Sequence, residues 1–384
     1  MPSSGVGGSD RTHTPTRTST DTDVNIDRGG DRADERPLLS VSNLTTVFHT
    51  DRETIYAVDD VSFDVYRGET VGIVGESGSG KSVTARSIMG LVDSPGKVLE
   101  RSSITFKRGE LTDLSDKQYQ SVRGNGIGMV FQDPQESLNP VFTVGNQIKE
   151  TLRVNRGITG GEATEEAADL LEAVGIPDAR RRLGEYPHEF SGGMLQRAVI
   201  AMMLAAEPEF LICDEPTTAL DVTIQAQILD LLRDLQEERD LSILFITHDM
   251  GVMAEIADRI NVMYAGQIVE SAPVEELFRT PKHPYTQGLL RSIPGQSSVE
   301  EGLETIEGDV PTPNAPATDC RFAPRCPKAF DACEAVEPAH VGVGDVEGHT
   351  ASCLLYPEDA PEGRRVDRHR ELNRSGRDEG GKRS

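Results

Sequence analysis

From Gly75 to Ser82 the chain reads Gly-Glu-Ser-Gly-Ser-Gly-Lys-Ser, directly after the apolar run Thr70 to Val74. A glycine-rich turn between a strand and a helix lets backbone N–H groups from Gly75, Ser77, Gly78 and Gly80 converge on phosphate oxygens, and the helix dipole favours the negative charge. Lys81 then reaches the β- and γ-phosphates, and the Ser82 hydroxyl suits Mg2+. A second apolar run, Phe210 to Cys213, ends in Asp214 and Glu215. Carboxylates at the carboxyl end of a buried strand lie where nucleotides bind in such sheets, so Asp214 suits the magnesium sphere and Glu215 a general base. Alone, such a pair is as often a turn or a helix cap. Ser191-Gly192-Gly193 opens an apolar helical stretch and offers a hydroxyl and free N–H donors, a second anion site on a separate segment. Gln132 and His248 each follow a short apolar run, in position to contact the γ-phosphate or its attacking water; taken singly, either reads more readily as an ordinary polar residue. Cys213 reads as a small buried hydrophobe.

Continuous apolar runs at Thr70–Val74, Phe210–Cys213, Ile243–Thr247 and Ile260–Tyr264, each followed by a helical stretch, predict an α/β fold with a mostly parallel sheet covered by helices on both faces. Leu38 to Val47 alternates like a further strand. Residues 133–200 read as helical and interrupt the strands, which predicts a helical subdomain within a main domain spanning 37–293. Residues 1–36 and 359–384 have the polar make-up of disordered tails. A Pro-rich linker, 294–318, precedes a region, 319–358, that holds Cys320, Cys326, Cys333 and Cys353. Without an export signal, a metal or redox cluster is favoured there over disulfides, with reduced thiols as the alternative. The gaps contain no tight C-x2-C pair and match neither the usual zinc nor the common ferredoxin spacing.

The formal charge of −25 argues against a nucleic-acid footprint, which needs clustered cations. Only 8 of the 39 basic residues are Lys, and acidity with Arg over Lys resembles proteins of a salty, halophilic cytoplasm. No apolar run is long enough to span a bilayer, so membrane contact is expected only through partners.

In order and spacing, the loop at 75–82, Gln132, Phe190-Ser-Gly-Gly-Met194, the strand at 210–215, Ala219-Leu-Asp221 and His248 resemble the ABC ATPase family of P-loop NTPases. The resemblance implies ATP and Mg2+ as cofactors, with Gln132 joining Ser82 and Asp214 around the metal. Tyr56 stands where the family stacks an aromatic on adenine. It also implies a head-to-tail dimer with a second ATPase subunit, Ser191–Gly193 of one chain facing the other's loop and Asp221 at the seam. Phe131-Gln-Asp-Pro134, Ser137-Leu-Asn-Pro140, His283-Pro-Tyr-Thr286 and the cysteine tail are similar to the oligopeptide and dipeptide permease ATPase subunits. That branch implies ATP-driven peptide import with two transmembrane permease subunits and an extracytoplasmic substrate-binding protein, at the cytoplasmic face of the membrane. Nickel or oligosaccharide import is the nearer alternative, and a soluble ABC ATPase acting on nucleic acid the farther one. It further implies a 4Fe-4S cluster on the four cysteines, zinc being next, with Arg321, Arg325 and Lys328 offsetting its charge.

Overall fold

Strands that are apolar at successive positions, not alternate ones, must be covered on both faces. The computed structural model describes residues 36–218, 220–293 and 306–380, and it builds such a sheet. The described residues open with the antiparallel pair β1 (Leu39–His49) and β2 (Thr54–Val65), followed by β3 (Thr70–Val74), buried at every position. Helix α1 (Lys81–Ile88) follows, then β4 (Gly96–Val98), β5 (Ser103–Phe106), β6 (Gly109–Glu110), α2 (Asp116–Val122) and β7 (Ile127–Val130). Helices α3 (Pro134–Ser137), α4 (Val144–Arg156), α5 (Gly160–Ala173), α6 (Ala179–Arg182) and α7 (Gly192–Leu204) make the helical subdomain. The main sheet resumes with β8 (Phe210–Asp214), α8 (Val222–Arg239), β9 (Ser242–Thr247), α9 (Met250–Ile256), β10 (Arg259–Tyr264) and β11 (Gln267–Pro273). Then come α10 (Val274–Arg279), α11 (Pro284–Arg291), β12 (Val341–Gly342), β13 (Thr350–Ala351) and α12 (Glu362–Gly380).

The main sheet runs β12-β13-β11-β10-β3-β9-β8-β7, parallel from β10 to β7. Side-chain alternation divides it between two cores. Ile73, Phe210, Ile212, Leu244 and Ile246 face α1 and the antiparallel sheet of β1, β2 and β5, whereas Val74, Leu211, Cys213, Ile243 and Phe245 face the helices. One expectation is thereby corrected: helices do not cover both faces alone, because a small antiparallel sheet shares one of them. The alternating stretch at Leu38–Val47 belongs to that second sheet, where one covered face is enough.

Two further corrections concern the ends. Residues 306–317 are not a free spacer. Pro313 accepts a backbone bond from Tyr56 (2.8 Å), and the Ala317 N–H donates to the Asp59 carboxylate (2.9 Å). Residues 362–380, expected as a disordered tail, form α12, whose Val366 and His369 are buried; His369 Nδ1 accepts the Ala339 N–H at 3.0 Å. The helix escapes notice because so little of it is apolar. The tail expected at 1–36 falls, but for Arg36, outside the described residues, as do linker residues 294–305. From Pro37 onward the chain is one unit, so the cysteine region is not a separate body. Among the described residues no helix is long and apolar enough to cross a membrane.

Candidate functional site

The glycine-rich loop leaves β3 at its carboxyl end, with Ser77 and Gly78 exposed at its tip. A Cβ at Gly75 would lie 2.1 Å from the Met263 carbonyl oxygen, and Gly80 combines φ +107° with the Ala57 carbonyl 2.3 Å from any Cβ, so both positions require glycine. Lys81 is buried and donates to the carbonyls of Gly75 (2.8 Å) and Glu76 (3.1 Å), bonds that phosphate oxygens can replace. Burial pushes its pKa down, and the carboxylates of Glu215, Asp214 and Glu76 oppose that.

Across from the loop, the end of β8 delivers both predicted carboxylates. Ser82 Oγ donates to Asp214 Oδ1 at 2.9 Å, which brings together two of the three predicted magnesium ligands. Asp214 is buried and its pKa is raised, chiefly by desolvation, so an added cation would relieve it. Glu215 turns outward at φ 49°, in the left-handed region, and its N–H donates to the Ile246 carbonyl at 2.9 Å. Such a backbone is held by its neighbours, not by its own preference. Its Oε2 accepts from Gln132 Nε2 (3.2 Å) and Thr218 Oγ1 (2.9 Å), and His248 Nδ1 lies 3.5 Å away. Gln132 and His248 are exposed, whereas the Glu215 side chain between them is only 13% exposed.

Ser191, Gly192 and Gly193 stand apart from this group. Ser191 caps α7, with its hydroxyl accepting the Met194 N–H at 3.4 Å, and a Cβ at Gly193 would meet Ile224 of α8 at 2.5 Å. Asp221 caps α8, accepting the Ile224 N–H at 3.0 Å. Ser191, Gly192 and Asp221 are exposed, so two separate constellations open to solvent on one chain. Tyr56 lies half-buried on β2, one residue before the Ala57 carbonyl that packs on Gly80. A groove of about 510 Å³ on the helical subdomain, lined by Phe142, Gln147, Arg153 and Ile158 among others, belongs to neither constellation.

All four carboxy-terminal cysteines are free thiols in one region, where the Cys320 N–H donates to the Cys333 carbonyl at 2.9 Å. Burial pushes the Cys320 and Cys353 thiols up to about 12 each. Among the described residues, however, no three His, Cys, Asp or Glu side chains are grouped to hold a metal. The cations expected to offset a cluster's charge are engaged elsewhere. Arg321 bonds Asp59, Arg325 bonds Glu76 and Lys328 bonds Gln287. Three residues of the phosphate site, Glu76, Thr218 and Arg325, had no sequence-level reading there. Thr218 lies three residues after Glu215, whereas the Arg325 contact spans 249 residues and left no local signal.

The family model described as ABC transporter matches residues 58–218, and that of the oligopeptide/dipeptide transporter C-terminal region matches 269–333. A putative peptide import ATP-binding protein of Brucella abortus is 53% identical over 334 residues, covering 84% of this chain and 98% of that protein. The oligopeptide transport ATP-binding protein AppD of Bacillus subtilis is 50% identical over 325 residues, covering 85% and 98%. Among solved structures, the dimeric post-hydrolysis ATP-binding cassette MJ0796 with ADP and phosphate is similar at a TM-score of 0.56 and 31% identity. It covers 62% of this chain and 98% of that one.

Proposed function

Because the chain belongs to the ATP-binding subunits of ABC transporters, in the oligopeptide/dipeptide branch, we propose that it hydrolyses ATP to drive peptide uptake through partner membrane subunits. The observation that carries the chemistry is the meeting of Ser82, Asp214, Glu215, Gln132 and His248 beside the loop. The loop's N–H groups and Lys81 bind and orient the phosphates. Ser82, Asp214 and Gln132 are the residues to hold Mg2+, which offsets the charge that develops on the phosphoryl oxygens. Glu215 orients the attacking water and takes its proton, while Gln132 and Thr218 aim its Oε2. Ser191–Gly193 and Asp221, exposed and apart from that group, support closure of a second ATPase subunit over the nucleotide, and Tyr56 is the residue to stack on adenine. Tested in proteoliposomes with the co-purifying membrane and binding proteins, a labelled oligopeptide should enter with ATP and fail to enter with Glu215→Gln. Uptake of nickel or a short oligosaccharide in its place would redirect the cargo.

Exposed Val141 and Phe142, beside the groove on the helical subdomain, support docking on a cytoplasmic helix of the permease subunits. The proposed location is therefore the cytoplasmic face of the membrane, with an extracytoplasmic binding protein delivering cargo. A 4Fe-4S cluster rests on the thiol donor set alone, since the thiols are not gathered into a ligand group, and no step is assigned to it. Anaerobic preparation with iron and sulfide assays tests it, and stoichiometric zinc without iron would replace it.

A further inference from the structure

Glu76 puts a carboxylate inside the phosphate loop itself, between Gly75 and Ser77. Every polar group it has is held. Its N–H donates to Tyr285 Oη (2.9 Å), and its carbonyl accepts from the Ser79 N–H (3.2 Å) and from Lys81 Nζ (3.1 Å). Its carboxylate accepts from both ends of the Arg325 fork, Nη1 to Oε1 at 3.2 Å and Nη2 to Oε2 at 3.1 Å. The fork is fixed in turn. The Arg325 side chain is 7% exposed, its guanidinium lies 5.7 Å from the Tyr264 ring centre, Nε donates to the Glu307 carbonyl (2.9 Å) and Nη2 to that of Ile306 (3.2 Å).

A carboxylate beside a site that must accept a polyphosphate repels it, and also competes for the Lys81 charge. A bidentate guanidinium cancels that charge and fixes the carboxylate's direction in a way a point charge does not. We propose that Arg325 is a positioning residue for the nucleotide loop: by neutralising and anchoring Glu76 it keeps the loop's first turn ready for phosphate, which makes the cysteine-bearing region part of the ATP site. The inference rests on ATP being bound at this loop.

The test measures ATP KM, kcat and thermal melting of the full chain as parent, Arg325→Met, Arg325→Lys, Glu76→Gln and the Arg325→Met/Glu76→Gln double variant. Arg325→Met leaves an uncompensated carboxylate, so KM is expected to rise about tenfold with kcat changed less than about twofold. Adding Glu76→Gln to Arg325→Met removes the uncompensated carboxylate, so KM of the double variant should fall back to within about threefold of the Glu76→Gln single variant, whatever that variant's own KM. Arg325→Lys should fall between, having the charge without the fork. A folded Arg325→Met with parental KM would overturn the proposal, as would a double variant no better than the single. If the Arg325 variants and Glu76→Gln all melt below the assay temperature, the pair only joins two regions of the chain and the positioning role is lost. A parental chain that neither binds ATP nor turns it over, assayed together with its co-purifying subunits, would instead refute the ATP reading.

Discussion

Glu215 places one oxygen, Oε2, against Gln132, Thr218 and His248. Glu215→Gln keeps the shape and removes the basic lone pair, so turnover should fall by about 10²- to 10⁴-fold while ATP still binds. Parental turnover in a folded, nucleotide-loaded Glu215→Gln would move the base elsewhere, with His248 the next candidate. Lys81→Ala should differ in kind. Its ammonium is the buried positive charge of the loop, so nucleotide binding itself is lost, as a filter-binding assay would register. At this scale the candidate residues were readable from the buried strand before them: Asp214 and Glu215 stand at the end of β8, and Lys81 and Ser82 open α1 one glycine-rich loop after β3. Arg325 was not readable, since its partner is set by how α11 and residues 306–325 fold back over the loop.

Helix α11 begins at a histidine whose titration should be measurable. Burial pushes the His283 imidazole down to about 4, and its Nδ1 accepts the Tyr285 N–H at 3.1 Å, a role that only the unprotonated nitrogen can fill. Folding therefore favours the neutral ring. That contribution is complete above the unfolded-state pKa of about 6.5 and is lost as pH falls through the window down to about 4, roughly 3 kcal/mol at most. Urea midpoints at neutral and at acid pH should diverge between parent and His283→Asn, with the parent losing more on acidification; parallel slopes would exclude the effect. In the helical subdomain, cysteines placed within residues 133–147 should crosslink to a permease subunit, and labelling that left them fully solvent-accessible in the assembled transporter would rule out this docking face. The elements themselves were legible in proportion to their apolar content. Strands β3, β8 and β9, buried throughout, and β10, buried after Arg259, announced themselves, whereas α12, held by Val366, His369 and a few polar bonds, did not.

Over the whole molecule, the sequence carries a net charge of −25. At about 0.1 M salt the Debye length is about 10 Å, long enough for neighbouring surface carboxylates to repel, and molar KCl shortens it to about 3 Å. The melting temperature should therefore climb with KCl, and a flat response would exclude the reading of the acidity as adaptation to salt. The single-unit fold has another consequence, which concerns synthesis. Every side chain around Glu215 has been made once His248 leaves the ribosome. Phe322, which packs on Tyr264 and Tyr285 at ring distances of 5.1 and 5.4 Å, and β13, which pairs with the edge of β11, are made later. Until then the growing chain presents two uncovered tyrosines and an unpaired strand, the features that chaperones and proteases recognise. Nonsense alleles that stop between about residue 250 and residue 320 should thus behave as recessive, because their products are cleared before they can occupy a place in the transporter.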